Sequence, residues 1–123
     1  MAYHYFIDPA HRRIEIAFEG SLTPDDLAGI RADTIGDPWF DPAFDYLVDG
    51  SKVARLVEVG TREIHFLAGN RSEVHVAGAR RALVAPMDVG FGLSRMFQGM
   101  ADLDGDVRVF RDRDEALAWL SGE

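Results

Sequence analysis

His4, His11, His65 and His75 are the side chains of this sequence best suited to moving a proton or holding a metal near neutral pH. Either chemistry requires them to converge with carboxylates such as Asp49. His65 and His75 sit ten positions apart, not at the i, i+4 spacing that puts two histidines on one helical face. Ser51 stands two residues after Asp49, but Gly50-Ser51-Lys52 lacks the Gly-x-Ser-x-Gly elbow of a nucleophilic serine. A small hydrolase or metal-dependent enzyme using His65 or His75 with Asp49 thus has its residue types without a spacing that demands it. The expectation is His4 on a strand, His11 in a turn and His65 on a helix surface, with no metal site, no cofactor and no catalytic set.

A second chemistry is anion binding. Asp88-Val89-Gly90-Phe91-Gly92-Leu93-Ser94-Arg95 carries a Gly-x-Gly where a strand gives way to a helix, and free backbone N–H groups at a helix start attract anions. A phosphate loop needs more glycines and a lysine, and Asp88 opposes a phosphate there. Arg95 is the cation that remains to recruit an anion. Trp39, Phe40, Phe44 and Tyr46 form an aromatic segment that suits either a lid over an apolar pocket or the closing of the core, and a core of this size needs such rings.

These residues require elements to position them. Residues 3–7 and 13–18 read as strands. Ile14, Ile16 and Phe18 alternate with Arg13, Glu15 and Ala17, and Asp8-Pro9-Ala10-His11 supplies the turn of a hairpin. Thr23-Pro24-Asp25-Asp26 opens a helix that presents Leu27, Ile30 and Thr34 on one face and ends near Gly36. Tyr46-Leu47-Val48-Asp49 is a short strand buried on both faces, followed by a connection. A helix runs from Thr61 to about Ser72, with Ile64, Leu67 and Ala68 at helical spacing. Arg81 to Ala85 is another buried strand, stopped by Pro86. A third helix, capped by Asp88, carries the stripe Val89, Leu93, Met96, Phe97 and Met100. Val107 to Phe110 is the last strand, and Asp112 caps a final helix with Ala116, Leu117 and Leu120 inward. The order β-β-α-β-α-β-α-β-α predicts an α/β fold: one mixed sheet, antiparallel at the first hairpin and parallel beyond it, covered by helices.

The 123 residues suffice for one domain over 1–123. With no cysteine, there is no thiolate metal site or disulfide, which favours a reducing, cytoplasmic setting. The start of the chain does not read as a signal peptide, and no stretch approaches the length of a membrane span. A net charge of −8 repels phosphate backbones, so nucleic acid is not the expected partner. The adjacent pairs Arg12-Arg13 and Arg80-Arg81 are expected to flank strands in solvent.

Leu47-Val48-Asp49-Gly50-Ser51 after the aromatic loop resembles the SpoIIAA-like superfamily, which includes the STAS domains of anti-sigma factor antagonists and small Sec14-type lipid-binding modules. So do Ala82-Leu83-Val84-Ala85 with Phe91-Gly92-Leu93-Ser94-Arg95-Met96-Phe97, and Val109-Phe110-Arg111-Asp112 with Glu115-Ala116-Leu117-Ala118-Trp119-Leu120. The resemblance implies a non-enzymatic module for a protein partner or a small lipid-like or anionic ligand. Its site would lie at the carboxyl end of the central strands, near Asp49, Ser51, Gly90, Phe91, Gly92 and Arg95. It also implies a phosphorylated Ser or Thr before a glycine, but here Val59 precedes Gly60. Thr61, two residues on, is the substitute acceptor, although capping a helix is its simpler role. Pairing through the third helix or an open sheet edge would make the chain a structural homodimer.

Overall fold

The strands form because branched and aromatic residues alternate along them, and the sheet forms because each apolar face requires cover. The structure, a computed structural model, describes residues 3–63, 79–86, 88–101 and 106–122, apart from the side chains at 89, 90, 96 and 99–101. Five strands lie in the order β1 (Tyr3–Asp8), β2 (Arg13–Leu22), β3 (Asp45–Leu56), β4 (Arg81–Val84) and β5 (Val107–Phe110). β1 runs antiparallel to β2, and every later pair is parallel. Leu47 stands beside Ala82 and Val48 beside Leu83, so the two apolar runs are neighbours inside the sheet. The described helices are α1 (Pro24–Ile35), α2 (Asp88–Ala101) and α3 (Arg113–Leu120). Residues 61–63 are already helical, and the remainder of the expected second helix lies outside the described residues.

Local chemistry explains the element ends. Asp8 Oδ1 accepts from the N–H of Ala10 (3.1 Å) and of His11 (3.3 Å), and Oδ2 pairs with His11 Nδ1 at 2.6 Å. His11 therefore holds the hairpin turn, and its ring keeps the Asp8 carboxyl below its ordinary pKa. At α1, the Thr23 hydroxyl accepts from the Asp26 N–H at 3.3 Å while Asp26 Oδ2 accepts from the Thr23 N–H at 2.9 Å, a reciprocal cap. Asp112 accepts from the Asp114 N–H at 2.8 Å and starts α3.

Two strands are longer than expected. β2 continues past Phe18 to Leu22, and β3 continues past Asp49 to Leu56, so Gly50-Ser51-Lys52 is strand rather than connection. The register slips twice, between Ala17 and Glu19 and between Gly20 and Ser21, and each slip spends one extra residue of β3. Such bulges interrupt strict alternation and sharpen twist. Gly20 lies at the second slip with φ +71°, a conformation that glycine adopts without strain.

The sheet has two differently covered faces. On one, Ile14, Ile16 and Phe18 of β2 join Tyr46 of β3 and Ile30 of α1 in the larger core cluster. On the other, Leu47, Ala82 and Val84 pack against Ala116 and Leu120 of α3. Of the aromatic segment, Phe44 and Tyr46 are buried, Phe40 packs against them, and Trp39 is exposed. The segment thus closes the core, as expected for most of its rings.

Candidate functional site

Alternation along β3 decides which residues can share a site. Leu47 and Asp49 project toward the α3 face, while Tyr46, Val48 and Gly50 belong to the opposite face. Asp49 is accordingly engaged from the α3 side: its Oδ1 accepts from the Ser51 N–H at 2.9 Å, and its Oδ2 from Arg113 at 3.3 Å. The same guanidinium reaches Glu15 Oε1 at 3.2 Å. Asp49 and exposed Ser51 line a polar depression with His4, Phe6, Glu15 and Lys52.

The remaining predicted site residues lie elsewhere. Gly90, Phe91, Gly92 and Arg95 all belong to α2, so the Gly-x-Gly is helix rather than loop. Arg111 lies 4.1 Å over the Phe91 ring, and Arg95 5.9 Å from the same ring. Arg111 also donates to Asp88 Oδ1 at 2.7 Å and to the Pro86 carbonyl at 3.0 Å. A carboxylate and a guanidinium thus already occupy the start of α2. The structure brings Asp49 to Ser51, and Phe91 to Arg95, without joining the two groups. Thr61 is exposed at the first helical residue after Gly60, whose N–H donates to Glu63 Oε1 at 2.8 Å. His65 and His75 lie outside the described residues, and among the described residues no three His, Asp or Glu side chains converge as metal ligands.

The partly open apolar hollow on the other face was not among the expected site residues. It is a cavity of about 230 Å³ between the sheet and the inner sides of α1 and α2. Ile16 and Phe18 of β2, Val48 of β3, Leu83 of β4, Ile30 of α1 and Phe97 of α2 supply its apolar lining. Val53 and Leu56 extend that lining, brought onto this side by the two bulges in β3. Gly50 belongs to it as well, where a Cβ would stand 3.0 Å from the Val84 carbonyl oxygen.

Three polar side chains join this lining at one place. Arg81 is only 7% exposed, with its guanidinium 4.7 Å from the Tyr46 ring centre and 5.5 Å from that of Phe97. This corrects the expectation of a solvated Arg80-Arg81 pair. Cation–π attraction to two rings lets a guanidinium sit where an ammonium would be poorly placed. Arg80 is also packed, 5.4 Å from the Trp119 ring centre, and Arg12 lies 5.3 Å from that of Phe44. Arg31 of α1 is the second cation of the cavity lining. The Tyr46 hydroxyl is buried without a hydrogen-bond partner among the described residues. Burial pushes the phenol above its ordinary pKa, against the opposing pull of Arg81 and then Arg31. One signal of this cluster was in the sequence: an arginine directly beginning an apolar strand.

No family profile matches the chain, and no curated protein matches it. A search of solved structures finds the crystal structure of an uncharacterised protein of the DUF3478 family, from Shewanella loihica PV-4, described as having a SpoIIAA-like fold. The two are 15% identical, the match covers 97% of this chain and 94% of that one, and the TM-score is 0.62. No described helix is long and apolar enough to cross a membrane. The strand order, the parallel pairing and this structural match together establish that the chain has a SpoIIAA-like fold.

Proposed function

We propose that this chain is a non-enzymatic binding module that holds a small, largely apolar ligand between the sheet and helices α1 and α2. The observation that carries this reading is the apolar cavity of about 230 Å³. Protein interiors are close-packed, so an apolar hollow of this size left unfilled beside the core is uncommon. Ligand sites are mostly apolar with a few placed polar groups, and pockets for drug-sized ligands measure roughly 300–1,000 Å³. The space here therefore suits a smaller molecule. An enzymatic role for Asp49 is less well supported, because both of its oxygens already accept hydrogen bonds. The cysteine-free composition supports a cytoplasmic location.

Titration with the uncharged fluorophore N-phenyl-1-naphthylamine tests the reading. Saturable uptake by the wild type is expected, with strong weakening in Val48→Phe, whose ring enters the cavity while circular dichroism stays native. Absence of saturable uptake by the wild type overturns it. Undiminished uptake by Val48→Phe overturns the location.

A homodimer through the open edge is the second reading. The Phe6 ring on edge strand β1 is 59% exposed, which favours it. Sedimentation equilibrium at micromolar concentration decides: a strict monomer removes this reading.

A further inference from the structure

The two rims of the sheet are guarded differently. A rim strand presents unpaired N–H and C=O groups, which proteins protect by short length or by Lys, Arg or Pro on the strand. β5 follows that rule, with four residues that include Arg108. β1 does not. Its six residues, Tyr3-His4-Tyr5-Phe6-Ile7-Asp8, include no Lys, Arg or Pro, and β2 is its only neighbour in the sheet. Alternation puts Tyr3, Tyr5 and Ile7 on the side of α1, and His4, Phe6 and Asp8 on the side of α3. Tyr5 and Ile7 pack against the core. On the other side α3 packs on Leu47, Ala82 and Val84 in the middle of the sheet, and at β1 that face is open: His4 is exposed and Phe6 is 59% exposed.

The residues of β1 are complementary to themselves. Two-fold pairing of a rim strand is antiparallel, keeps like faces on one side, and therefore sets one residue opposite its own copy. With Phe6 on the axis, His4 stands opposite Asp8 of the second copy and Tyr5 opposite Ile7 of the second copy, each pair occurring twice. Phe6 meets its own copy on the α3 side. Opposite-charge, aromatic–aliphatic and aromatic–aromatic pairs are the cross-strand combinations that stabilise antiparallel sheets. The Asp8 carboxylate is already fixed in place by the N–H groups of Ala10 and His11. Moving the axis to Tyr5 sets His4 against Phe6 and leaves Asp8 outside the described pairing, so the charges no longer match. Asp33 and Asp37, bonded to the Tyr3 and Tyr5 hydroxyls, come to the same side of the joined sheet from both copies, and physiological salt screens that repulsion. Resting on the homodimer reading above, we infer that a second copy of this chain adds to the β1 edge with Phe6 on the two-fold axis, joining two five-stranded sheets into one.

The chain has no cysteine, so a single introduced thiol reports the register. Opposed residues of an antiparallel pair have Cα atoms about 4.5–5.5 Å apart, within the span of about 4.4–6.8 Å that a disulfide bridges. Under mild oxidation at micromolar protein and physiological salt, Phe6→Cys should form a covalent dimer about tenfold faster than His4→Cys, whose two thiols lie roughly 14 Å apart along the paired strands. Sedimentation equilibrium under the same conditions should show the wild type as a dimer. Phe6→Lys sets two ammonium groups across the axis, and His4→Asp sets carboxylate against carboxylate twice. Each should weaken association by about tenfold or more, with native circular dichroism because both positions are exposed. A dimer that persists undiminished in Phe6→Lys or in His4→Asp overturns the inference and leaves a homodimer through another surface. Crosslinking of Phe6→Cys no faster than that of His4→Cys overturns it too, because Phe6 then does not face its own copy. A strictly monomeric wild type removes the homodimer reading itself.

Discussion

Replacing Gly29 by alanine should destabilise the protein, although alanine is the better helix former. Gly29 lies within α1, and a Cβ built on it would stand 2.7 Å from the Tyr3 hydroxyl oxygen. That hydroxyl donates to Asp33 Oδ2 at 2.6 Å, and the Tyr3 ring meets Phe18 edge-on with centroids 6.3 Å apart. The added methyl group must therefore displace a side chain anchored at both its ring and its tip. Alanine contributes about 1 kcal/mol of helix propensity over glycine. A hydrogen bond to a charged partner is worth about 1.5–3 kcal/mol. The second figure exceeds the first, so the net loss is about 1 kcal/mol, or about 4 °C in Tm for a chain of this size. Tyr3→Phe removes the obstructing oxygen. In that background Gly29→Ala should stabilise by up to about 1 kcal/mol, because only the helix gain remains. Urea unfolding of the wild type, both single variants and the double variant measures the coupling, expected at about 2 kcal/mol. Additive effects, or stabilisation by Gly29→Ala with Tyr3 intact, would refute the close approach of α1 to β1.

Four further outcomes are expected. The Tyr3 phenol is pushed up to about 12, first by its bond to Asp33 and then by burial. Its contribution to stability should be complete below its unfolded value of 10.0 and disappear as pH rises through about 12, with Tyr5 and Asp37 adding in the same direction; thermal melts across alkaline pH should lose this slope in the Tyr3→Phe, Tyr5→Phe double variant. Leu47 is fully buried between the sheet and α3, so Leu47→Ala should cost about 2–5 kcal/mol in urea unfolding. Thr23→Ala removes half of the reciprocal cap of α1 and should cost about 1 kcal/mol, read as a lower midpoint at unchanged slope. Arg113→Ala breaks ion pairs to Asp49 and Glu15 by a guanidinium that is 44% exposed; its effect should stay within about 1 kcal/mol and shrink with added salt.

The elements most legible in the sequence are those governed by neighbours along the chain. Thr23, Pro24 and Asp26 specify the start of α1 within four residues, and Asp8 with His11 specifies a turn. The parallel order followed from strands separated by helical spacers, and the pairing of Leu47 with Ala82 agrees with it. The outer half of β3 was not legible, because its two bulges place Val48, Gly50, Val53 and Leu56 on one side at unequal spacing. A period-2 reading stops at Gly50 for that reason. The burial of Arg81 was hidden by its charge, which reads as solvent-facing until Tyr46 and Phe97 are seen around it. Asp49 was expected at the carboxyl end of its strand, but β3 runs on to Leu56, so Asp49 lies mid-strand, opposite the last residue of β4. Its position two residues after Leu47 already implied the α3 face, away from the cavity that Gly50 joins.

The junction at Gly50 has a consequence for how such a chain tolerates change. Among the described residues, β4 ends opposite Asp49, so beyond that point β3 has only β2 as a neighbour. The sheet tapers there from five ribbons to a two-ribbon arm. An insertion of two residues in each ribbon lengthens the arm and keeps Val53 and Leu56 turned inward, whereas a single residue inserted in one ribbon does so only where a further bulge absorbs it, as at the two slips already present. The arm's length is thus free to vary in even steps, and reach at this end of the molecule can be altered while the five-ribbon body is left untouched.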